Sequence, residues 1–329
     1  MTARSRTLII INPISARARR AWPKIKASLM DNRISFDAYE TTHAGDATKR
    51  TRSSLRDGYR IVAIVGGDGT LSEAATGFFE FGEDDNHAVS HPPSVINEDA
   101  ALAILPAGTG DDLARGLAGR RAPLESWLET FIAYCRRDVG SVARAVDVIH
   151  GRVSEDERGF ICLNVATIGL GAEVAARVAS QGRALRRLPG EARFVSAAFG
   201  ALAAWREREV RVTVDDHEVI EGRSNLIAVA NGIYAGGGMM FAPDARMDDG
   251  LIDLVLTHDL TRPTILKELP RIRRGEHLTN PKVRVVHARR VRVETDTAHD
   301  ALLVEADGNV RGHTPAQFQI MPGALRIGL

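Results

Sequence analysis

The stretch Gly66-Gly67-Asp68-Gly69-Thr70 follows a β-branched run at 61–65 and precedes an apolar helical pattern over 71–79. Glycines at a strand end let the backbone turn sharply and bring its N–H groups close to an anion. The N-terminus of the helix that follows adds a dipole that favours phosphate. The stretch therefore predicts a phosphate-binding turn between a buried strand and a helix.

A second glycine-rich turn strengthens this interpretation. Pro106-Ala107-Gly108-Thr109-Gly110 follows a strand predicted at 101–105, while Asn12-Pro13 and Thr41-Thr42 follow strands predicted at 7–12 and 35–40. Two such turns on neighbouring strands, each with a Thr and an Asp nearby, favour a phosphate site over two ordinary tight turns. Neither the P-loop pattern nor a G-x-G-x-x-G at the first helix occurs, so neither of those nucleotide folds is predicted.

The order of patterns along the chain predicts two domains. Over residues 1–142 the predicted strands alternate with helices at 18–32, 46–56, 71–79 and 111–117, which indicates a parallel sheet covered on both faces. From 143 to 316 short strand patterns dominate, with helical stretches near 172–180, 191–205 and 261–273, which indicates a β-rich second domain. A length of 329 residues, 44% of them hydrophobic, suits two cores.

Composition restricts the location and the partners. Charged residues make up 26% of the chain and nearly cancel to +1, so no global field favours a nucleic-acid partner. The two cysteines, Cys135 and Cys162, have no metal-ligand spacing and fit a reducing compartment. No apolar run approaches the roughly 20 residues of a membrane span. We therefore expect a cytoplasmic protein that touches a membrane only at its surface.

Seven short motifs occur in a fixed order along the whole chain. They are Asn12-Pro13, Gly66 to Thr70, Gly108 to Arg115, Asn231 with Gly236-Gly237-Gly238, Ala242-Pro243-Asp244-Ala245 with Asp248-Asp249-Gly250, Asp307-Gly308, and Pro322-Gly323-Ala324-Leu325. In this order they resemble the diacylglycerol kinase catalytic-domain family of bacterial diacylglycerol and sphingosine-type lipid kinases. The resemblance implies a nucleotide-binding α/β domain like that of phosphofructokinases and NAD kinases, a β-rich sandwich-like lipid-substrate domain, and a last segment, 317–329, that returns to the first domain.

The resemblance also implies cofactors and residue roles. It implies that ATP contacts Asn12, Thr41, Gly66, Gly67, Asp68, Gly69, Thr70, Leu71, Ser72, Gly108, Thr109 and Asp112. It further implies a Mg²⁺ site formed by the Asp249 carboxylate and the main-chain carbonyls of Arg246 and Leu251, which are the hard oxygen ligands that Mg²⁺ prefers. Another interpretation of Asp248-Asp249-Gly250 is a hairpin turn before a strand.

The chain departs from the family at the catalytic position. The family has Asp-Gly-Glu where this chain has Asp307-Gly308-Asn309, and the missing Glu is the expected general base. An amide can orient a hydroxyl but cannot accept its proton. Asp307 or Glu305 is a candidate substitute base, so Asp307 and Asn309 are the predicted catalytic residues. The family's lipid-associated Asp is also replaced, by Gly171.

The sequence therefore predicts an ATP-dependent kinase of a diacylglycerol-like or sphingoid lipid. The alternatives are a nucleotide-binding pseudokinase of the same fold and a kinase of a soluble alcohol. Basic clusters at Arg183, Arg186 and Arg187 and at Arg271, Arg273 and Arg274 could contact an anionic bilayer, although a solvated helix face is the favoured interpretation. No nucleic-acid partner is expected, and homodimer formation is left open.

Overall fold

The computed structural model describes residues 6–82, 92–136, 143–182 and 190–329. The chain divides into two compact units, one of residues 1–148 with 321–329 and one of residues 149–320. The expected domain limits were 142/143 and 316/317, and residue 142 lies outside the described residues.

The first unit alternates strands and helices. Its elements are β1 Thr7–Ile11, α1 Ala16–Asp31, β2 Asp37–Glu40, α2 Asp46–Arg56, β3 Ile61–Gly66, α3 Asp68–Thr76, β4 Phe79–Glu80, β5 Ser94–Val95, β6 Ala101–Pro106, α4 Asp112–Ala118 and α5 Leu124–Arg136. Helix α5 was not predicted, although Trp127, Leu128, Phe131 and Ile132 bury the apolar face that it packs on the sheet.

Four strands of the first unit form a parallel sheet in the order β2, β1, β3, β6. Strands β1, β3 and most of β6 are buried along their length, as expected for a parallel sheet covered on both faces. Because the strands are parallel, Asn12, Thr41, Gly67 and Ala107 all follow strand ends at one edge of this sheet. Ligands of such sheets bind at that edge.

Helix α3 begins three residues earlier than the sequence predicted. It starts at Asp68, with Gly67 as its N-cap and a hydrogen bond of 3.1 Å from the Leu71 amide to the Gly67 carbonyl. The prediction relied on apolar periodicity, which starts only at Leu71. The polar residues 68–70 therefore form the first helical turn, and Phe79 lies in the short strand β4.

The second unit is mainly strands. Its elements, including two strands shared with the first unit, are β7 Ala143–Val153, β8 Asp156–Cys162, β9 Val165–Gly169, α6 Leu170–Ser180, α7 Gly190–Ala204, β10 Arg208–Val214, β11 Glu218–Ala230, β12 Tyr234–Ala235, β13 Met239–Met240, β14 Ile252–His258, α8 Arg262–Ile272, β15 Val283–Ala288, β16 Arg290–Thr295, β17 Leu303–Ala306, β18 Asn309–His313 and β19 Ala316–Gly328. Short 3₁₀ helices occur at Glu276–Thr279 and Ala298–Asp300.

Pairing in the second unit is antiparallel. Strand β11 lies between β10 and both β9 and β14, while β17 joins β9 to β18. Leu163 and Asn164 separate the two short strands β8 and β9. The observed α/β unit and β-rich unit confirm the predicted fold class.

Strand β19 takes part in both units. Its residues 316–319 pair with β16 in the second unit, and Ile327 and Gly328 pair in parallel with Leu102 and Ala103 of β6 in the first. Among the described residues, no helix combines the length and the apolar character that crossing a bilayer requires.

Candidate active site

The two glycine-rich turns of the first unit touch each other. A Cβ atom on Gly67 would lie 3.0 Å from the Gly108 Cα, and a Cβ atom on Gly108 would lie 2.4 Å from the Gly67 Cα. Both partners are backbone atoms, so neither can move aside at low cost. The sequence analysis explained the glycines of this turn by close approach of the backbone to an anion, whereas the structure shows that the missing side chain of Gly67 leaves room for the second turn.

Asp68 links the same two turns through hydrogen bonds. Its Oδ1 accepts the amide N–H of Asp112 at 2.8 Å and that of Leu113 at 3.3 Å. These donors lie at the N-terminus of α4, where a carboxylate is favoured. Burial, followed by the negative charge of Asp112, raises the pKa of Asp68 to about 7. Asp68 therefore positions α4 and the turn before it.

Asn12 and Thr41 are also hydrogen-bonded at this edge. The Asn12 Nδ2 donates to the Thr70 Oγ1 at 2.9 Å, and its Oδ1 accepts the Ile14 amide at 3.0 Å. The Thr41 hydroxyl donates to the Ile11 carbonyl at 3.3 Å. The predicted nucleotide-site residues that follow four different strands thus lie at one edge of the sheet. Asn12 and Thr70, which follow different strands, are directly hydrogen-bonded.

The predicted nucleotide-site residues differ in exposure. Gly69 and Thr109 are exposed, and nothing lies within 4 Å of a Cβ atom placed on Gly69. In contrast, the side chains of Leu71 and Ser72 are buried in the first unit. Any contact of these two residues with a nucleotide would therefore use the main chain.

Asp307 holds the connection between β8 and β9 in the second unit. Its Oδ2 accepts the Leu163 amide at 2.8 Å, and its Oδ1 accepts the Asn164 amide at 2.9 Å and contacts the Cys162 thiol at 3.5 Å. Asp307 also has a φ of 49°, in the left-handed region. Both carboxylate oxygens are therefore engaged by the protein, which argues against Asp307 as the substitute base.

Glu305 and Asn309 lie on either side of Asp307 in very different environments. The buried Glu305 accepts the Thr167 hydroxyl at 2.9 Å and the Gly308 amide at 2.8 Å, and burial raises its pKa to about 7. Asn309 is exposed, with one long contact of 3.4 Å from its Nδ2 to the Asp307 carbonyl. The Glu305 carboxylate is therefore enclosed, whereas Asn309, at the family's catalytic position, faces solvent.

The Asp307→Ala variant should lose stability. Two buried backbone N–H groups would lose their acceptor, at about 1–3 kcal/mol each, so we expect a total loss of about 2–6 kcal/mol. Denaturant unfolding measures this loss. Asp216→Ala is the matched control, because Asp216 also has a positive φ, 66°, and in the described part of the chain its carboxylate pairs with the exposed Arg290. Equal stability of the two variants would contradict a structural role of Asp307.

The predicted magnesium turn contains oxygen donors of the right kind. Asp249 is exposed, and its Oδ1 accepts the Leu251 amide at 3.0 Å. Burial raises the pKa of the nearby Asp253, and the charges of Asp249 and Asp244 raise it further. No three His, Cys, Asp or Glu side chains in the described part of the chain have metal-binding geometry. A site here would therefore depend on one carboxylate and main-chain carbonyls, which suits Mg²⁺.

Asp147 is a buried acid that the sequence analysis missed. It is 2% exposed in β7, and its Oδ1 accepts the Gly323 amide of the closing motif at 2.7 Å. An acid between Val146 and Val148 in an otherwise apolar strand was the available signal. Asp147 fixes Gly323 in the last segment of the first unit.

One of the two basic clusters has acidic partners. Arg271 and Arg274 form ion pairs with Glu268 at 3.0 Å and with Glu276 at 2.7 Å. These partners support the solvated-face interpretation of that cluster. Arg183, Arg186 and Arg187 lie outside the described residues. Contact with a membrane stays a prediction.

Two family models match consecutive parts of the chain. The diacylglycerol kinase catalytic domain matches residues 6–147, and the YegS C-terminal NAD kinase beta sandwich-like domain matches residues 166–329. A "Probable lipid kinase YegS-like" of Pseudomonas aeruginosa is 30% identical over 289 residues, which cover 88% of this chain and 83% of the relative. The "Diacylglycerol kinase" of Staphylococcus carnosus is 27% identical over 317 residues, which cover 96% and 92%.

Solved structures show the same fold. A diacylglycerol kinase from Bacillus anthracis has a TM-score of 0.66 at 20% identity, with 100% of this chain and 97% of that chain covered. An NAD kinase from Archaeoglobus fulgidus in complex with ATP has a TM-score of 0.51 at 12% identity, with 98% and 93% covered. At these identities the likeness concerns the fold alone, and it confirms the predicted NAD-kinase-like architecture.

Proposed function

The chain belongs to the diacylglycerol kinase catalytic-domain family and is a kinase, and on that basis we propose that it transfers the γ-phosphoryl group of ATP to a hydroxyl of a diacylglycerol-like or sphingoid lipid. In this reaction the lipid oxygen forms a bond to the γ-phosphorus, the bond from that phosphorus to the bridging oxygen breaks, and the hydroxyl proton is released. ADP and a lipid phosphate monoester are the products.

The contact between the two glycine-rich turns is the observation that carries this proposal. Gly67 and Gly108 meet at the carboxyl-terminal edge of the parallel sheet, and Asp68 fixes the start of α4 beside them. Phosphoryl transfer depends mainly on positioning and on stabilising the phosphate charge. Backbone N–H groups and helix N-termini held by such contacts are suited to bind the phosphates of ATP.

The residues of the second unit support the handling of the acceptor hydroxyl. Asp307 and Glu305 fix the turn that precedes Asn309. The backbone at Asn309 is therefore held in place, while its side-chain amide is exposed. In the proposed reaction this amide orients the hydroxyl, and water takes up its proton. A loose transition state, in which the proton leaves late, makes such a route feasible at a reduced rate.

Mg²⁺ would be held by the Asp249 carboxylate with the carbonyls of Arg246 and Leu251. The exposed Asp249 carboxylate and the neighbouring charges of Asp244 and Asp253 favour a divalent cation at this turn. When bound, the ion would neutralise this acidic cluster and keep the turn before β14 fixed. We also propose that the protein is cytoplasmic and reaches its substrate through transient contact with a membrane surface.

A comparison of acceptors tests the proposed lipid specificity. ADP release would be measured with saturating MgATP and, in turn, detergent-dispersed diacylglycerol, sphingosine, NAD⁺ and glycerol. We expect release above the acceptor-free rate only with a lipid. Release with NAD⁺ or glycerol alone would favour a soluble-alcohol kinase, and nucleotide binding without release for any acceptor would favour a pseudokinase.

A further inference from the structure

A pocket of about 250 Å³ lies beside the Gly108–Asp111 turn in the first unit, between α1, α4 and the start of α5. Its charged lining residues are Arg17, Asp111, Arg115 and Arg121. The pocket lining therefore combines three guanidinium groups with one carboxylate. The nucleotide-site residues Gly66, Gly67 and Asp68 line a separate, much smaller cavity, and the larger pocket adjoins the proposed nucleotide site at Gly108 and Asp111.

The remaining wall of the pocket is apolar. It includes Ala21 of α1, Pro123, and the residues Leu124 and Trp127 of α5. Trp127 is 7% exposed, so its indole is held firmly by its neighbours. A pocket with cationic groups on one side and a fixed apolar wall on the other is suited to a ligand with an anionic end and a short carbon skeleton.

The three arginines hold three consecutive carbonyls of the turn. Arg17 Nη1 donates to the Gly108 carbonyl at 2.6 Å, Arg121 Nη2 to that of Thr109 at 3.4 Å, and Arg115 Nη2 to that of Gly110 at 3.4 Å. The position of the turn therefore depends on the same guanidinium groups that line the pocket.

Asp111 shows that the arginines converge. Its Oδ1 accepts the Gly108 amide at 2.8 Å, and its φ of 52° lies in the left-handed region, where a non-glycine residue is strained. Burial raises the pKa of Asp111, and the charges of Arg121, Arg17 and Arg115 oppose that rise. The three guanidinium groups therefore all interact electrostatically with the Asp111 carboxylate.

We propose that this pocket binds a phosphate monoester and that the bound ligand weakens nucleotide binding at the adjacent turn. Arginine presents a planar fork of donors that matches phosphate oxygens, and three of them converge here. The volume suits a phosphate on a short carbon skeleton better than a nucleotide, because pockets for larger ligands measure about 300–1,000 Å³.

The coupling follows from competition for donors. A phosphate competes with Asp111 and with the carbonyls of Gly108 and Thr109 for Arg17 and Arg121. The turn is then held less firmly, and we expect nucleotide affinity to fall about fivefold, at the lower end of typical coupling between sites. The expected loss of nucleotide affinity rests on the proposed nucleotide site, whereas binding of the phosphate to the pocket does not.

Calorimetric titration of the full chain with glycerol 3-phosphate tests the site, with and without a non-hydrolysable ATP analogue. Arg17→Ala and Arg121→Ala should each weaken binding at least about tenfold, the loss expected for one charge-assisted bond. The Arg121→Lys variant keeps the positive charge but lacks the planar set of donors. It therefore still tests the site if the alanine variant fails to fold. The control is Arg19→Ala, an exposed arginine of α1 outside the pocket.

Two further titrations identify the source of the phosphate. Arginine-dependent binding of glycerol 3-phosphate supports a soluble ligand, and arginine-dependent binding only of vesicles that contain phosphatidic acid supports a lipid head group. Inorganic phosphate bound as tightly as glycerol 3-phosphate would contradict the role of the apolar wall. Absence of binding to all three, or equal binding by wild type and both arginine variants, would overturn the proposal. If the ATP analogue alone fails to bind, the proposed function fails and the pocket stands.

Discussion

The Asn309→Glu variant should turn over lipid faster than the wild-type protein, by up to about 10²-fold, which is the lower end of general-base effects. The lower end applies because a loose transition state leaves less work for a base. Asn309 is exposed, and its amide makes one contact of 3.4 Å, so a carboxylate can replace it without being buried. The measurement is steady-state turnover with one accepted lipid and saturating MgATP.

Asn309→Gln is the matched control for this gain. It lengthens the side chain as Glu does but supplies no proton acceptor, so its turnover should stay at the wild-type level. The nucleotide affinity of both variants should be unchanged. A Glu variant that is no faster than wild type would mean that another group, with Glu305 the remaining candidate, already accepts the proton.

The Gly69→Val variant should keep its fold and lose nucleotide affinity by about 5- to 150-fold, the range that corresponds to a steric cost of about 1–3 kcal/mol. Nothing in the protein lies within 4 Å of a Cβ atom at this exposed position, and Gly69 has a negative φ in the first turn of α3. Valine also has a higher helix propensity than glycine. A loss of affinity would therefore report overlap with the ligand.

The same test cannot be made at Gly67, since a side chain there would push on the Gly108 backbone and disturb the fold as well as the ligand. Gly82→Val is the control, because Gly82 is exposed and likewise has no neighbour within 4 Å. Calorimetric titration with an ATP analogue, together with thermal unfolding, measures both quantities. Wild-type affinity in Gly69→Val would place the phosphates elsewhere.

The sequence was sufficient to predict the parallel sheet and the position of the glycine-rich turns. Buried β-branched runs followed by glycines are local signals, and β3 and β6 were found within one residue of their predicted limits. A local pattern does not show what a missing side chain makes room for. A Cβ atom does not fit at Gly67 because of the backbone of Gly108, a residue 41 positions further along the chain.

The roles of the acidic residues depended on contacts that are distant in sequence. Asp68 binds the amides of residues 112 and 113, and Asp307 binds those of residues 163 and 164. The motifs identified both acids as important, but each was assigned to chemistry rather than to holding a distant turn. The contacts of the site residues with ATP and Mg²⁺ stay predictions.

ATP labelled at the γ-phosphate tests phosphoryl transfer to a lipid most directly. The purified full chain would be incubated with ATP labelled at the γ-phosphate, Mg²⁺ and a total lipid extract, and the organic phase would then be separated by chromatography. We expect label in a lipid phosphate monoester for wild type, at a strongly reduced level for Gly69→Val. Label that stays wholly in the aqueous phase, with the nucleotide bound normally, would contradict the account.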